Sequence, residues 1–431
     1  MTLNSNRNAR RTCLRLSGKW FAMIFLGVLE LQLTSAVFAG GFSVLDIGMT
    51  RSGMMAVMSN VDEPSAIYHN PACLTDQKGT QFYFFNLYTH IFTSLEMRNP
   101  DGTYSEKIRP SQADGIGPFL GLTSDLGLQR WTFGAALLFP NVYGAAFPED
   151  AETRYHLVQG VFATGYLSFA ASYAVNERLS LGGAYSLIYV RMIGERKYDM
   201  LGTRNPDSDM ELRMDSDDLA MGWSLSLRYK PAPNWSIGFG YWPKTDLRLE
   251  GDLDVYLPGD VKFLSTYIHT SMLIPETYRG GVSYRFHPRW MAAVDVNYWK
   301  YSDYEWQKIE TGMDDLFGDQ SARKNYGDSI SIGAGLRHTL SEKTSLSVGL
   351  LRDWSPIPPE YYMVDNPKTD YLALALAAFR NVGRGFRLEG GVVLSHYEGM
   401  DIRNSKTNPP TNARGDALAV ELDFAILYRF Q

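Results

Sequence analysis

The last fifteen residues, ALAVELDFAILYRFQ (Ala417 to Gln431), carry a large apolar residue at every second position from Leu418 to Phe430. Leu418, Val420, Leu422, Phe424, Ile426, Tyr428 and Phe430 fall on one face of an extended chain, while Glu421, Asp423 and Arg429 fall on the other. Period-two alternation over this length exceeds an average soluble strand. An apolar outer face and a charged inner face suit a strand with lipid on its outside and water on its inside.

The same pattern recurs upstream. Trp223, Leu225, Leu227 and Tyr229 alternate with Ser224, Ser226 and Arg228; Trp290, Ala292, Val294, Val296 and Tyr298 alternate with Asp295 and Asn297. Several of these runs begin and end in Trp or Tyr, as interfacial aromatic girdles require. Tight turns are expected at Gly127–Gln129, Asn176–Glu177, Pro231–Asn234, His287–Pro288, Ser341–Lys343 and Val382–Arg384. Longer loops are expected near 98–112, 143–156, 199–212, 251–273, 310–327, 355–369 and 400–414. Six turns alternating with seven loops imply fourteen strands, with short periplasmic turns on one side and long extracellular loops on the other. The fold class is therefore all-β: a transmembrane antiparallel β-barrel of fourteen strands. The aromatic one place before Gln431 resembles the assembly signal of bacterial outer-membrane proteins.

A fourteen-stranded barrel is wider than the eight strands that side chains fill, so its lumen needs a plug. The segment from Gly40 to Lys78 lacks strand alternation and is the only one long enough. It is read as an N-terminal hatch, with the barrel occupying 79–431. Ahead of it, Arg7, Arg10, Arg11, Arg15 and Lys19 precede the apolar run Trp20 to Leu29, and Val37-Phe38-Ala39 closes with small residues. Residues 1–39 are read as a secretory signal peptide, because the apolar run is about half of what a spanning helix needs.

Composition narrows the function classes. Without the leader the chain would carry 36 basic and 46 acidic residues, and no basic stripe for nucleic acid is present. Cys13 would leave with the leader, so Cys73 has no partner for an internal disulfide. Tyr, Phe and Trp number 26, 22 and 9, an aromatic richness that favours a membrane β-protein over a soluble enzyme.

In order along the chain, three stretches resemble the FadL/TodX (OmpP1) family of outer-membrane transporters of long-chain fatty acids and other hydrophobic compounds. GGFSVLDIGMTRSGMMAVMSNVDEPSAIYHNPACL resembles the family's hatch, including the Asn70-Pro71-Ala72 motif; where the family continues with Gly, this chain has Cys73. Ile274 to Trp306 and Ser329 to Tyr362 resemble its later strand pairs. The resemblance implies a hatch-plugged barrel that needs no energy-coupling partner and no cofactor. Ligand would enter through extracellular loops, occupy an apolar lumenal pocket and leave sideways into the bilayer. Asn70, Pro71 and Ala72 would form the hatch or gating motif, with Pro71 fixing a rigid bend. Arg191, Arg228 and Arg337 are candidates to meet a ligand carboxylate.

Other chemistry is weak. His69 and Cys73 lack further metal ligands at a suitable spacing. His90 and Ser94, four apart on a strand, lie about 13 Å from each other, too far for a base and nucleophile. The acidic run Asp207 to Asp218 reads as a solvated loop. The 251–273 loop is too apolar for that, and Tyr256, Leu257, Phe263, Leu264, Tyr267 and Ile268 are its candidate ligand-capture residues. Expected partners are a hydrophobic small molecule, outer-membrane lipids and lipopolysaccharide, and the assembly machinery, with the protein a monomer. The alternatives are a non-transport barrel, such as an adhesin or structural protein, and a barrel enzyme.

Overall fold

The computed structural model describes residues 47–99, 101–313, 315, 318–366 and 369–430. The expected signal peptide and positions 40–46 of the hatch lie outside them. Fourteen antiparallel spans close into a barrel, as the turn and loop rhythm requires.

The spans are β1 (Thr80–Met97), β2 (Gln112–Ile116 and Phe119–Ser124), β3 (Trp131–Ala146), β4 (Gln159–Ala174) and β5 (Leu179–Tyr198). They continue with β6 (Met210–Tyr229), β7 (Trp235–Trp242 and Thr245–Leu257), β8 (Val261–Ile274 and Glu276–His287) and β9 (Trp290–Lys300, resuming at Ile309–Thr311). The last five are β10 (Ser329–Ser341), β11 (Thr344–Asp353), β12 (Tyr371–Gly383), β13 (Phe386–Asp401) and β14 (Ala413–Arg429). Closure is made by β14 against β1, with a continuous register from Gln81↔Arg429 to Met97↔Ala413. A closed sheet leaves no unpaired edge in lipid.

Alternation places the apolar residues outward through the membrane. Ile237 and Phe239 on β7 and Leu372, Leu374 and Leu376 on β12 are exposed, while small inward residues such as Ser236 are buried. Aromatics cluster at both ends of this band. Tyr278 lies 5.1 Å from Tyr241 and 6.3 Å from Tyr298 on the extracellular side. On the periplasmic side, Trp235 stacks on Tyr284 at 4.4 Å.

Residues 251–273, expected as a long loop, are instead two strands joined by a turn at 258–260. After the break at Pro243 and Lys244 the polarity of β7 inverts. Leu247, Leu249, Leu253 and Val255 now point inward and are buried, while Asp246, Arg248, Glu250, Asp252 and Asp254 take the outer face. The strand has risen above the membrane, where water bathes the outside and an apolar lumen fills the inside. The acidic run is likewise strand from Met210 onward.

Inside the barrel, the hatch comprises α1 (Met49–Met54), α2 (Ala66–His69) and a 3-10 turn (Pro71–Asp76). Ile47, Val57, Ile67, Cys73 and Leu74 form one core with Tyr83, Phe85 and Phe119 of the wall. Each buried side chain of this size contributes roughly 1.5–3 kcal/mol.

Candidate functional site

The hatch is held to the wall by charges as well as by apolar packing. Asp62 accepts from Arg387 on β13 at 3.2 Å and lies 3.6 Å from Arg337 on β10. Asp76 pairs with Arg228 and, at 2.7 Å, with Lys230. Asp295 on β9 accepts from the Val57 and Met58 N–H groups at 2.6 and 2.9 Å. Tyr83 accepts from the Met49 N–H at 3.0 Å and donates to Glu389 at 2.8 Å. Arg228 and Arg337, considered for a ligand carboxylate, are thus engaged by hatch carboxylates. Arg191 points away from the lumen and makes a two-pronged pair with Asp215 at 3.0 and 2.7 Å.

Asn70, Pro71 and Ala72 lie where the hatch meets β5 and β6. Asn70 Oδ1 accepts from the Ala72 N–H at 3.1 Å, capping the 3-10 turn, while its Nδ2 donates to the Met58 carbonyl at 2.6 Å. The Ala72 N–H also donates to Ser226 on β6 at 3.0 Å. Pro71 begins the turn, where its missing N–H costs nothing. His69 meets the Ile47 carbonyl at 2.5 Å and Arg279 at 3.2 Å, and Cys73 is a buried free thiol.

Above the hatch, on the extracellular side, is a cavity of about 200 Å³. Phe162 on β4, Met192 on β5, Met214 on β6, Leu253 on β7, and Ile268 and Met272 on β8 supply its apolar wall. Thioethers adapt readily to differently shaped guests. Of the six expected capture residues only Ile268 lines this cavity. Leu264 packs behind it with Met210 and Val255. Tyr256 lies under the Arg213 guanidinium at 4.3 Å, and Leu257, Phe263 and Tyr267 are exposed on the projecting hairpin.

Extracellular loops roof the cavity and bring polar groups to it. Lys324 is 3 % exposed, and among the described residues its ammonium donates only to Met363 Sδ, at 3.2 Å. Arg196 donates to Gln320 at 2.7 Å. Asp365 is near enough to favour the charge on both, yet its Oδ1 has no hydrogen-bond partner among the described residues. Burial pushes the Lys324 ammonium below its ordinary range. Burial, with Arg196 and Arg204 nearby, pushes His156 down to about 4, so that imidazole is neutral at pH 7.

A second, smaller cavity of about 70 Å³ lies lower, over Ile67 and Tyr68 of the hatch, and reaches Asn141, Tyr166, Trp242 and Arg279. Asn141 follows a bulge at Phe139 and Pro140 in β3, and β2 is interrupted at Gly117 and Pro118 on the facing strand. Two prolines at one level remove two ladder donors. The seam is bridged there by the Phe139 N–H donating to the Pro118 carbonyl at 3.0 Å. Outside it, Phe139, Val142, Ala163 and Tyr189 cluster with Ile116, Leu137 and Leu219.

The family profile described as outer membrane protein transport protein (OMPP1/FadL/TodX) matches residues 30–391. The chain belongs to this family. Its barrel resides in the outer membrane, and the family is one of transport channels for hydrophobic compounds rather than of enzymes. Three solved structures share the FadL/TodX fold. A Pseudomonas aeruginosa FadL homologue has a TM-score of 0.77 at 14% identity, covering 92% of this chain and 100% of its own. The Ralstonia pickettii toluene transporter TbuX has a TM-score of 0.68 at 16% identity, covering 91% and 100%. The Pseudomonas putida toluene transporter TodX has a TM-score of 0.67 at 14% identity, covering 92% and 100%. No curated protein matches the sequence.

Sequence reading missed Lys324, Arg196 and the paired prolines. Pro118 and Pro140 carried a signal, since proline inside an otherwise strand-like run marks a break. Lys324 sits in a loop with no motif around it.

Proposed function

We propose that this FadL/TodX-family channel imports small hydrophobic molecules by passive diffusion, from the upper cavity past Tyr68 to the β2–β3 seam and out into the bilayer. The carrying observation is that the lower cavity touches Asn141, beside a level where both facing strands are broken by proline, within the apolar part of the wall and below the similar break at Pro243 and Pro275 where β7 leaves the membrane. Sideways exit keeps the guest out of water, and each methylene so protected is worth about 0.8 kcal/mol.

Lys324 argues for guests with an acidic head, such as fatty acids, over plain hydrocarbons. A buried ammonium that Asp365 favours only from beyond ion-pair distance costs several kcal/mol, and a carboxylate in the cavity offsets that cost. The toluene transporters of the same fold support the second reading, a neutral monoaromatic, which the methionine-lined wall would also hold. The protein is read as a monomer inserted by the outer-membrane assembly machinery through β14.

Cells with and without the gene should differ in uptake of labelled palmitate or toluene. Equal uptake of both would sink transport in favour of an adhesin or structural barrel.

A further inference from the structure

We propose that the periplasmic mouth of the barrel is a binding site for a phosphate group, separate from the hydrophobic pathway above the hatch. Beneath the hatch, at the end closed by short turns, is a cavity of about 600 Å³. It gathers Lys78, Arg228, Lys230, Arg285, Arg337 and Arg429 around only two carboxylates, Asp62 and Asp76. The full chain carries 47 acidic and 41 basic residues, so this excess of cations is local and runs against the overall charge.

Both carboxylates are already committed. Asp76 pairs with Arg228 and Lys230, and Asp62 with Arg387 and Arg337. The side chains of Arg285 and Arg429 make no hydrogen bond or ion pair among the described residues. They face the cavity from β8 and β14, with inward-facing neighbours Ser283 and Leu427 buried beside them in sequence. The mouth therefore presents two free planar forks, on strands six apart around the barrel, each offered to the cavity from its own side within a field of paired cations. Guanidinium forks match the tetrahedral oxygens of phosphate two at a time, which a halide cannot exploit. A cavity of this size holds a phosphate with its bridging water but not a folded protein.

The bound group would also touch the hatch. Arg228, Lys230 and Arg337 serve both the cavity and the hatch aspartates, so an anion there competes with Asp62 and Asp76 for the same cations. Coupling of this kind is reciprocal: occupancy of the mouth loosens the hatch, and a displaced hatch binds the anion more tightly.

Phosphate could come from a phospholipid headgroup or from a soluble periplasmic ester. Calorimetry on the full chain in detergent, at pH 7 and constant ionic strength, would compare inorganic phosphate, glycerol 3-phosphate and dihexanoyl phosphatidylglycerol. Saturable binding weakened at least tenfold in R285A/R429A and only partly restored in R285K/R429K is the expected result. Tighter binding of the lipid than of both soluble anions assigns the headgroup, and the reverse assigns the soluble ester. Heat-modifiable gel mobility checks that each variant still forms a barrel. Phosphate binding no stronger than chloride, or undiminished in R285A/R429A, overturns the proposal whatever the cells import.

Discussion

A Cβ placed on Gly182 of β5 would sit 2.2 Å from the backbone nitrogen of Ala72, so the hatch and the wall meet there with no room for a side chain. The nearest atoms are backbone, which cannot swing aside. Gly182→Ala should therefore unseat the 3-10 turn at a cost of about 1–3 kcal/mol, the usual range for overpacking. Single-channel recordings should show higher basal conductance with the barrel still heat-modifiable. Conductance equal to the parent's would mean that the hatch does not seal at this contact.

Asn70→Ala removes both the cap on Ala72 and the bond to the Met58 carbonyl. Loss of a cap costs about 1 kcal/mol, and the freed Met58 carbonyl adds to that. Limited proteolysis should cut the hatch of this variant sooner while the barrel persists. Pro71 substitution should impair uptake more than assembly, and a Pro71→Ala strain that imports normally would refute a gating role.

Restoring the seam is a separate test of lateral exit. Pro118→Val with Pro140→Val returns a donor to each broken strand and favours strand geometry at both sites. Ligand should still bind the purified protein with unchanged affinity, yet uptake should fall at least several-fold. Normal uptake with a closed seam would place the exit elsewhere.

Lys324 makes the guest's head group testable by pH. Its folded pKa lies below the ordinary lysine value because burial disfavours the ammonium. The charge is therefore lost as pH rises through that depressed value, while a ligand carboxylate stays ionised. Affinity for a fatty acid should decline over that interval, and Lys324→Met should lower it about 10–100-fold on the low-pH side of the interval and flatten the decline. Toluene binding should show neither effect. Fatty-acid affinity that ignores both pH and the substitution would assign the cavity to neutral guests.

Most of the wall was legible because one physical rule governs it. Leu418 to Phe430 announced a lipid-facing strand, and the turns at Asn176 and Ser341 fell where the strands reverse. The rule failed above the membrane. Leu253 and Val255 fall in a segment that reads as an apolar loop, and the strand there escapes notice because Asp252 and Asp254 stand where a membrane strand carries its lipid-facing residues. The hatch contacts were not legible at all, since Asp62 and Arg387 are 325 positions apart and nothing local links them. Lys324 escaped for the opposite reason: a cation next to Arg323 in a polar stretch looks solvated until loops fold over it.

The inversion along β7 has a consequence for how the molecule sits. Below Pro243 the strand belongs to a membrane wall; above Thr245 it is built like the wall of a soluble carrier that encloses an oily guest. The point of reversal is a waterline written into the chain. Moving it by two residues, as with Asp246→Leu and Arg248→Leu, would let the barrel settle deeper in the lipid and draw the mouth of its upper chamber toward the lipopolysaccharide.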